Sequence, residues 1–198
     1  MPTTAEHKRR FSSAVADCMA LYQHCMHPRD RHSIPGVEAA FLQVFMAWEV
    51  FLEDSLLGFM CGRLTCDAKL VAARMIGQSE EDVRVALYQE RPYLEWSDPE
   101  RTIERLERLL VQPSRPAAAL RAGLVQLRQM RTVRNFIAHA SVQARQKFFG
   151  LLQSEFGGKR RLSRAGLLLI ESHPQDATVT YFLYYVQTLQ ALVAKITG

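Results

Sequence analysis

With 198 residues, of which 48% are hydrophobic and 23% charged, the chain is long enough to bury a core and has the composition of a soluble globular domain. That composition argues against a disordered or fibrous protein, and no apolar run reaches a clean membrane span. The longest, Phe41 to Met60, carries Glu49, Glu53 and Asp54 and reads as a buried helix, so no membrane partner is expected. The net charge of +5 acquires meaning only once it is located along the chain.

The start, EHKRRFSSAVADCMALYQ, has the basic opening of a secretory leader, but Asp17 interrupts its apolar part and helical periodicity continues to Met26. Phe11, Val15, Cys18, Tyr22 and Met26 form the stripe of an N-terminal helix within residues 1–32. A longer helix follows Pro35-Gly36, with Val37, Phe41, Val44, Trp48, Phe51 and Ser55 on one face. Its other face holds Leu42, Met46, Glu49, Glu53, Leu56 and Met60, so it is apolar nearly all round and suits the centre of a bundle. Glu49 and Glu53 on such a face each need a cationic or hydrogen-bonding partner.

Beyond Gly62 the pattern loosens into a short helix and an extended piece at Pro92–Trp96. Ser97-Asp-Pro-Glu100 then reads as a capped helix start, with Ile103, Leu106 and Leu110 inward. Ser114 and Pro116 open a helix running to about His139, with Leu120, Leu124, Leu127, Met130 and Ile137 inward. Ser141 caps a further helix carrying Val142, Phe149, Leu152 and Phe156. Residues 157–175 form a basic loop, GGKRRLSR, and a connector with the apolar run AGLLLI and a break at Pro174. The last helix shows Val179, Phe182, Leu183, Val186, Leu189, Val193 and Ile196 in a regular stripe. With no repeat and no low-complexity linker, the expectation is one all-α domain over residues 1–198, a bundle of five or six helices.

Cys18, Cys25, Cys61 and Cys66 lie in or at the ends of helical patterns, which suits reduced, buried thiols and a cytoplasmic protein. Cys18, His24, Cys25, His27 and His32 have the right types for zinc, but their spacing fits no compact finger, so no metal is expected.

From Arg115 to Arg164 the chain holds eleven basic residues: Arg115, Arg121, Arg128, Arg131, Arg134, Arg145, Lys147, Lys159, Arg160, Arg161 and Arg164. Glu155 is the one acid among them, whereas from Glu80 to Gln112 acids outnumber bases nine to five. A field so concentrated attracts polyanions. Within it lies RTVRNFIAH, residues 131–139. Arg134 falls two helical turns after Leu127, in or beside the apolar stripe, and Arg131, Asn135 and His139 share a polar flank with Arg128.

Those types suit chemistry on a phosphodiester. Arginine grips two phosphate oxygens and keeps its charge, so it stabilises a pentacoordinate phosphorus. Histidine titrates near neutrality and moves the proton of an attacking or leaving oxygen. With RNA the 2′-hydroxyl is an internal nucleophile, so neither metal nor cofactor is required. The bare Arg-x4-His spacing is common by chance; its context, an Asn after the Arg, an Ala before the His and a basic surround, gives it weight.

VRNFIAHAS resembles the R-x4-6-H signature of HEPN domains, often written R-N-x-x-A-H. AFLQVFMAWEVFLEDSLLGFMCG is similar to the long acidic-apolar helix of prokaryotic members, and RPYLEWSDPERTIERLERLL to segments of some of them, so the likeness spans about Ser33 to Ile196. It implies a HEPN-like bundle that dimerises about a two-fold axis. The two motifs would meet in a cleft that cuts RNA without metal and leaves a 2′,3′-cyclic phosphate. Many members are toxins or antiviral effectors, so an antitoxin or defence-system protein is an implied partner. Carried over, Arg134 is the phosphate-binding arginine, Asn135 the polar residue after it and His139 the acid/base. Glu49 or Glu53 is the candidate buried partner of Arg134. Arg128, Arg131, Arg145, Lys147, Lys159, Arg160 and Arg161 are expected to contact the RNA backbone. RQKFF (145–149) sets cations beside aromatic rings that could stack bases, but Phe148 and Phe149 are expected to be core. Toxins regulated by tyrosine modification carry Tyr two residues after the His; this chain has Ser141 there. The alternative is a non-catalytic module of the same type, binding nucleic acid, nucleotide or protein through the basic face.

Overall fold

The computed structural model describes residues 3–27, 32–74, 79–88, 94–139, 141–157 and 162–198. Among them are nine helices: α1 (Thr4–Met26), α2 (Ser33–Met60), α3 (Glu80–Tyr88), α4 (Pro99–Leu109), α5 (Arg115–Ala122), α6 (Leu124–Ala138), α7 (Val142–Phe156), α8 (Ala165–Leu169) and α9 (Tyr181–Thr197). An antiparallel pair, β1 (Ser172–His173) and β2 (Asp176–Thr180), precedes α9. The all-α expectation holds, with more and shorter helices than five or six. Val179 lies in β2 rather than in the last helix. Lys159, Arg160, Arg161 and the first two residues of the extended piece, Pro92 and Tyr93, lie outside the described residues.

Local chemistry sets the helix ends. Pro35 occupies the first turn of α2, where its missing N–H is no loss. Asp98, not Ser97, caps α4, its side chain accepting from the Arg101 backbone N–H at 3.0 Å. Ser141 caps α7 as expected, accepting from Ala144 N–H at 3.1 Å, and Gly157 ends that helix in the left-handed conformation. The single helix expected over 114–139 is two helices, broken at Gly123. A side chain there would meet Leu192 at 2.9 Å, so the backbone approaches α9 more closely than a β-carbon permits.

The chain clusters into two compact units interleaved along the sequence: Met1–Ser13, Ala47–Leu124 and Leu189–Gly198 form one, and Ala14–Met46 with Val125–Thr188 the other. In the first unit Phe11 packs edge-on to Trp48 and against Phe51. In the second, Tyr22 stacks flat on Phe182 at 4.2 Å, Phe41 packs against Tyr185, and the Tyr22 hydroxyl hydrogen-bonds Thr180 Oγ1. Among the described residues α2 alone is long and apolar enough to cross a membrane by length and composition. Its Phe41, Val44, Trp48, Phe51, Leu56 and Met60 are buried against protein, but Met46 is 60% and Val50 58% exposed, so α2 is not enclosed all round.

Close approach decides two glycines in the second unit. At Gly166 in α8 a β-carbon would lie 2.7 Å from both the Ile34 carbonyl oxygen and its Cγ2, whereas at Gly150 in α7 nothing stands within 4 Å. Gly166→Ala is expected to cost roughly 1–3 kcal/mol through overpacking, and Gly150→Ala to stabilise by about 0.5–1 kcal/mol through helix propensity. Urea unfolding of both variants checks this; shifts of the same sign would contradict the packing described.

Candidate functional site

α6 carries Leu127, Met130 and Val133 into the core, with Leu124 and Ile137 only half-buried. Arg134 therefore emerges at the edge of that stripe, half-buried, with Asn135 beside it and His139 exposed one turn further on. The helical bonding reaches the histidine, whose N–H donates to the Asn135 carbonyl at 3.0 Å. This extension brings three side chains together. Arg134 Nη1 donates to Asn135 Oδ1 at 3.2 Å and lies 3.3 Å from His139 Nε2. A guanidinium only donates, so a hydrogen bond at this contact uses the Nε2 lone pair. Arg134 Nε and Nη2 make no hydrogen bond among the described residues. The cluster thus presents a cation with spare donors in contact with an imidazole nitrogen. α7 begins three residues beyond His139, so the positive end of its helix dipole lies close in sequence to the imidazole.

The other expected residues fare differently. Arg145 and Lys147 are exposed on α7, Arg128 is exposed on α6 and Arg131 is half-buried. The basic field is weaker than its sequence count, because Arg115 pairs with Asp67, Arg121 with Glu107 and Arg164 with Glu38. Glu53 has the partner its apolar setting demands: Arg84 Nη1 and the Tyr88 hydroxyl, each at 2.6 Å from Oε1. Glu53 is thereby held to α3, which corrects the expectation that it serves as the buried partner of Arg134; Glu49 is half-buried. Of the cysteines, Cys18 is buried, Cys25 and Cys61 are half-buried and Cys66 is exposed in a loop, which corrects the expectation that all are enclosed. Burial pushes the Cys18 and Cys61 thiols up, toward the protonated form. No group of three or more His, Cys, Asp or Glu arranged for a metal occurs among the described residues.

Phe148 is core as expected, but Phe149 is 46% exposed, so the core expectation fails there. Two further features had no signal in the sequence. In the first unit His7, 4% exposed, lies between Asp54 (Nδ1 to Oδ2, 3.2 Å) and Arg63 (Nε2 to Nη1, 3.3 Å). Arg63 goes on to Glu80 at 3.1 Å, and Arg84 joins Glu80 to Glu53. This partly buried network ties α1, α2 and α3 together and reads as a clamp. In the second unit His173 stacks on Tyr184 at 3.7 Å, while Glu155 accepts from the Tyr181 hydroxyl and from Gln129.

Comparison with family models, with curated proteins and with solved structures gives no match. Fold and site together define an all-α protein whose α6 gathers an arginine, an asparagine and a histidine at an accessible helix end.

Two stability effects follow. Glu53→Ala, which strips Arg84 and Tyr88 of their acceptor, should lower unfolding free energy by about 2 kcal/mol and Tyr88→Phe by about 1 kcal/mol. Equal stability of all three proteins in urea would show that the clamp contributes nothing. Burial lowers the pKa of His173 against the opposing pull of Glu155 and Asp176, so the folded chain favours the neutral ring. The unfolded chain takes up that proton near pH 6.5, so stability should fall as pH drops below about 6.5. His173→Phe should flatten that dependence in unfolding curves recorded from pH 7.5 to 5.

Proposed function

We propose that this chain is a metal-independent endoribonuclease of HEPN type, working as a homodimer in the cytoplasm as a toxin or defence effector. The observation that supports the reading most is the convergence of Arg134, Asn135 and His139 on one guanidinium nitrogen at an accessible helix end. A cation with spare donors in contact with an amide and an imidazole supports this reading.

In this reading a phosphodiester sits against the free side of Arg134, with Asn135 Oδ1 holding the guanidinium in place. The adjacent ribose 2′-hydroxyl attacks phosphorus; the 2′-O–P bond forms, the P–O5′ bond breaks, and a 2′,3′-cyclic phosphate and a 5′-hydroxyl result. The incoming phosphate takes the Arg134 donor that faces His139, freeing the Nε2 lone pair for the 2′-hydroxyl proton, and the matching imidazole of a second copy supplies the proton to departing O5′. Arg134 balances the charge building on the equatorial oxygens. Exposed Arg128, Arg145 and Lys147 add sequence-independent attraction for the backbone.

The decisive test is cleavage of mixed RNA in excess EDTA. Wild type should cut and leave cyclic-phosphate ends; His139→Ala should lose roughly 10²–10⁴-fold in rate and Arg134→Ala roughly 10²–10³-fold, with native helical content retained in both. A wild type that binds RNA with undiminished affinity after His139→Ala, yet never cleaves, would replace the enzyme with a binding module.

A further inference from the structure

The exposed side of α7 next to this site has a composition that neither a solvated face nor an ordinary protein contact explains. Val142 is 72% exposed and Phe149 46%, and between them stand exposed Arg145, Gln146 and Lys147. From Val142 to Gln153 the helix contains no acid. A lone aromatic ring among cations and amides differs from the broad apolar patch of a subunit contact, and its charge complements a polyanion.

The ring is held in a defined place. Phe149 tilts against Phe136 with centroids 6.4 Å apart and against Phe148 at 6.1 Å, while Phe136 and Phe148 stack flat at 4.1 Å. Phe148 is fully buried and Phe136 half-buried, so the trio is anchored in the core and Phe149 is its most exposed ring. Gly150 follows Phe149, and the space where its side chain would stand is empty to 4 Å, leaving room for a flat group. Phe136 lies three residues before His139, so the ring that Phe149 packs against belongs to the same turn of chain that ends in the imidazole.

We propose that Phe149 is a stacking platform for an unpaired base of single-stranded RNA, the base neighbouring the phosphate gripped by Arg134, with Arg145 and Lys147 beside the strand. This rests on the ribonuclease reading of α6 and narrows its substrate: a base can lie flat on Phe149 only when it is out of a duplex, so single strands and loops are cut and paired RNA is spared.

The test uses a 2′-O-methylated single-stranded oligonucleotide with 2-aminopurine inserted, which binds but has no 2′-hydroxyl to react. Wild type should quench the fluorophore; Phe149→Ala should abolish the quenching and weaken binding roughly five- to hundredfold, the effect of losing one base stack. Phe149→Trp should preserve both, and a duplex of the same sequence should bind all three proteins alike. Single-strand affinity within twofold of wild type in Phe149→Ala would overturn the proposal. So would dissociation of a wild-type dimer in that variant under light scattering, which would assign the ring to a second copy. If wild type cuts natural RNA in EDTA while Phe149→Ala cuts and binds it equally well, stacking fails and the nuclease stands; if wild type neither binds nor cuts RNA, the ribonuclease reading itself fails.

Discussion

A charge carried on the apolar flank of a helix must be met by whatever packs beside it, because its desolvation has no other compensation. Two such charges organise this chain. Glu53 on α2 is met by Arg84 and Tyr88 and holds α3 through two short bonds. Arg134 on α6 is met differently: its neighbours are an amide oxygen and an imidazole nitrogen, neither of them an anion. The guanidinium is positioned but not neutralised. An arginine needed only for stability would be expected to close on a carboxylate, as Arg115 does in its two-bonded pair with Asp67. Arg134 keeps its full positive charge at an accessible edge, and that electrostatic surplus is what a phosphate would answer.

The same contrast runs through the basic third of the chain. Where an arginine serves architecture, an acid from another element receives it, as with Arg115, Arg121 and Arg164. With those set aside, Arg134 at the end of α6 and Arg145 and Lys147 on α7 stand close to His139 along the chain. The field is therefore more local than the sequence count suggests, and its position on two successive helices matters more than its total.

The legibility of the sequence divides along physical lines. Features set by neighbours a few residues away were readable: the Ser141 cap, the stripes of α1 and α2, and the Arg134, Asn135 and His139 group, whose spacing on one helix brings the side chains within reach. The need of Glu53 for a partner was readable too. Its identity was not, since Arg84 and Tyr88 lie more than thirty residues away. The break at Gly123 was not readable, because the pressure on it comes from Leu192, far along the chain. The β1–β2 pair is too short to show alternation, and its pattern merged with the stripe of α9. Ser97 and Asp98 are both good caps, and only the geometry selects the second.

The interleaving of the two compact units has a consequence for how the chain can be divided. α1, α2 and α9 each have residues in both units, since the boundaries fall after Ser13, Met46 and Thr188. Neither unit is a continuous stretch of chain, so no single cut releases one of them intact. A fragment holding α6 and α7 alone would lack the turns of α1, α2 and α9 that belong with them. Genetic exchange can therefore move this fold only whole, and truncation should act as unfolding rather than as dissection.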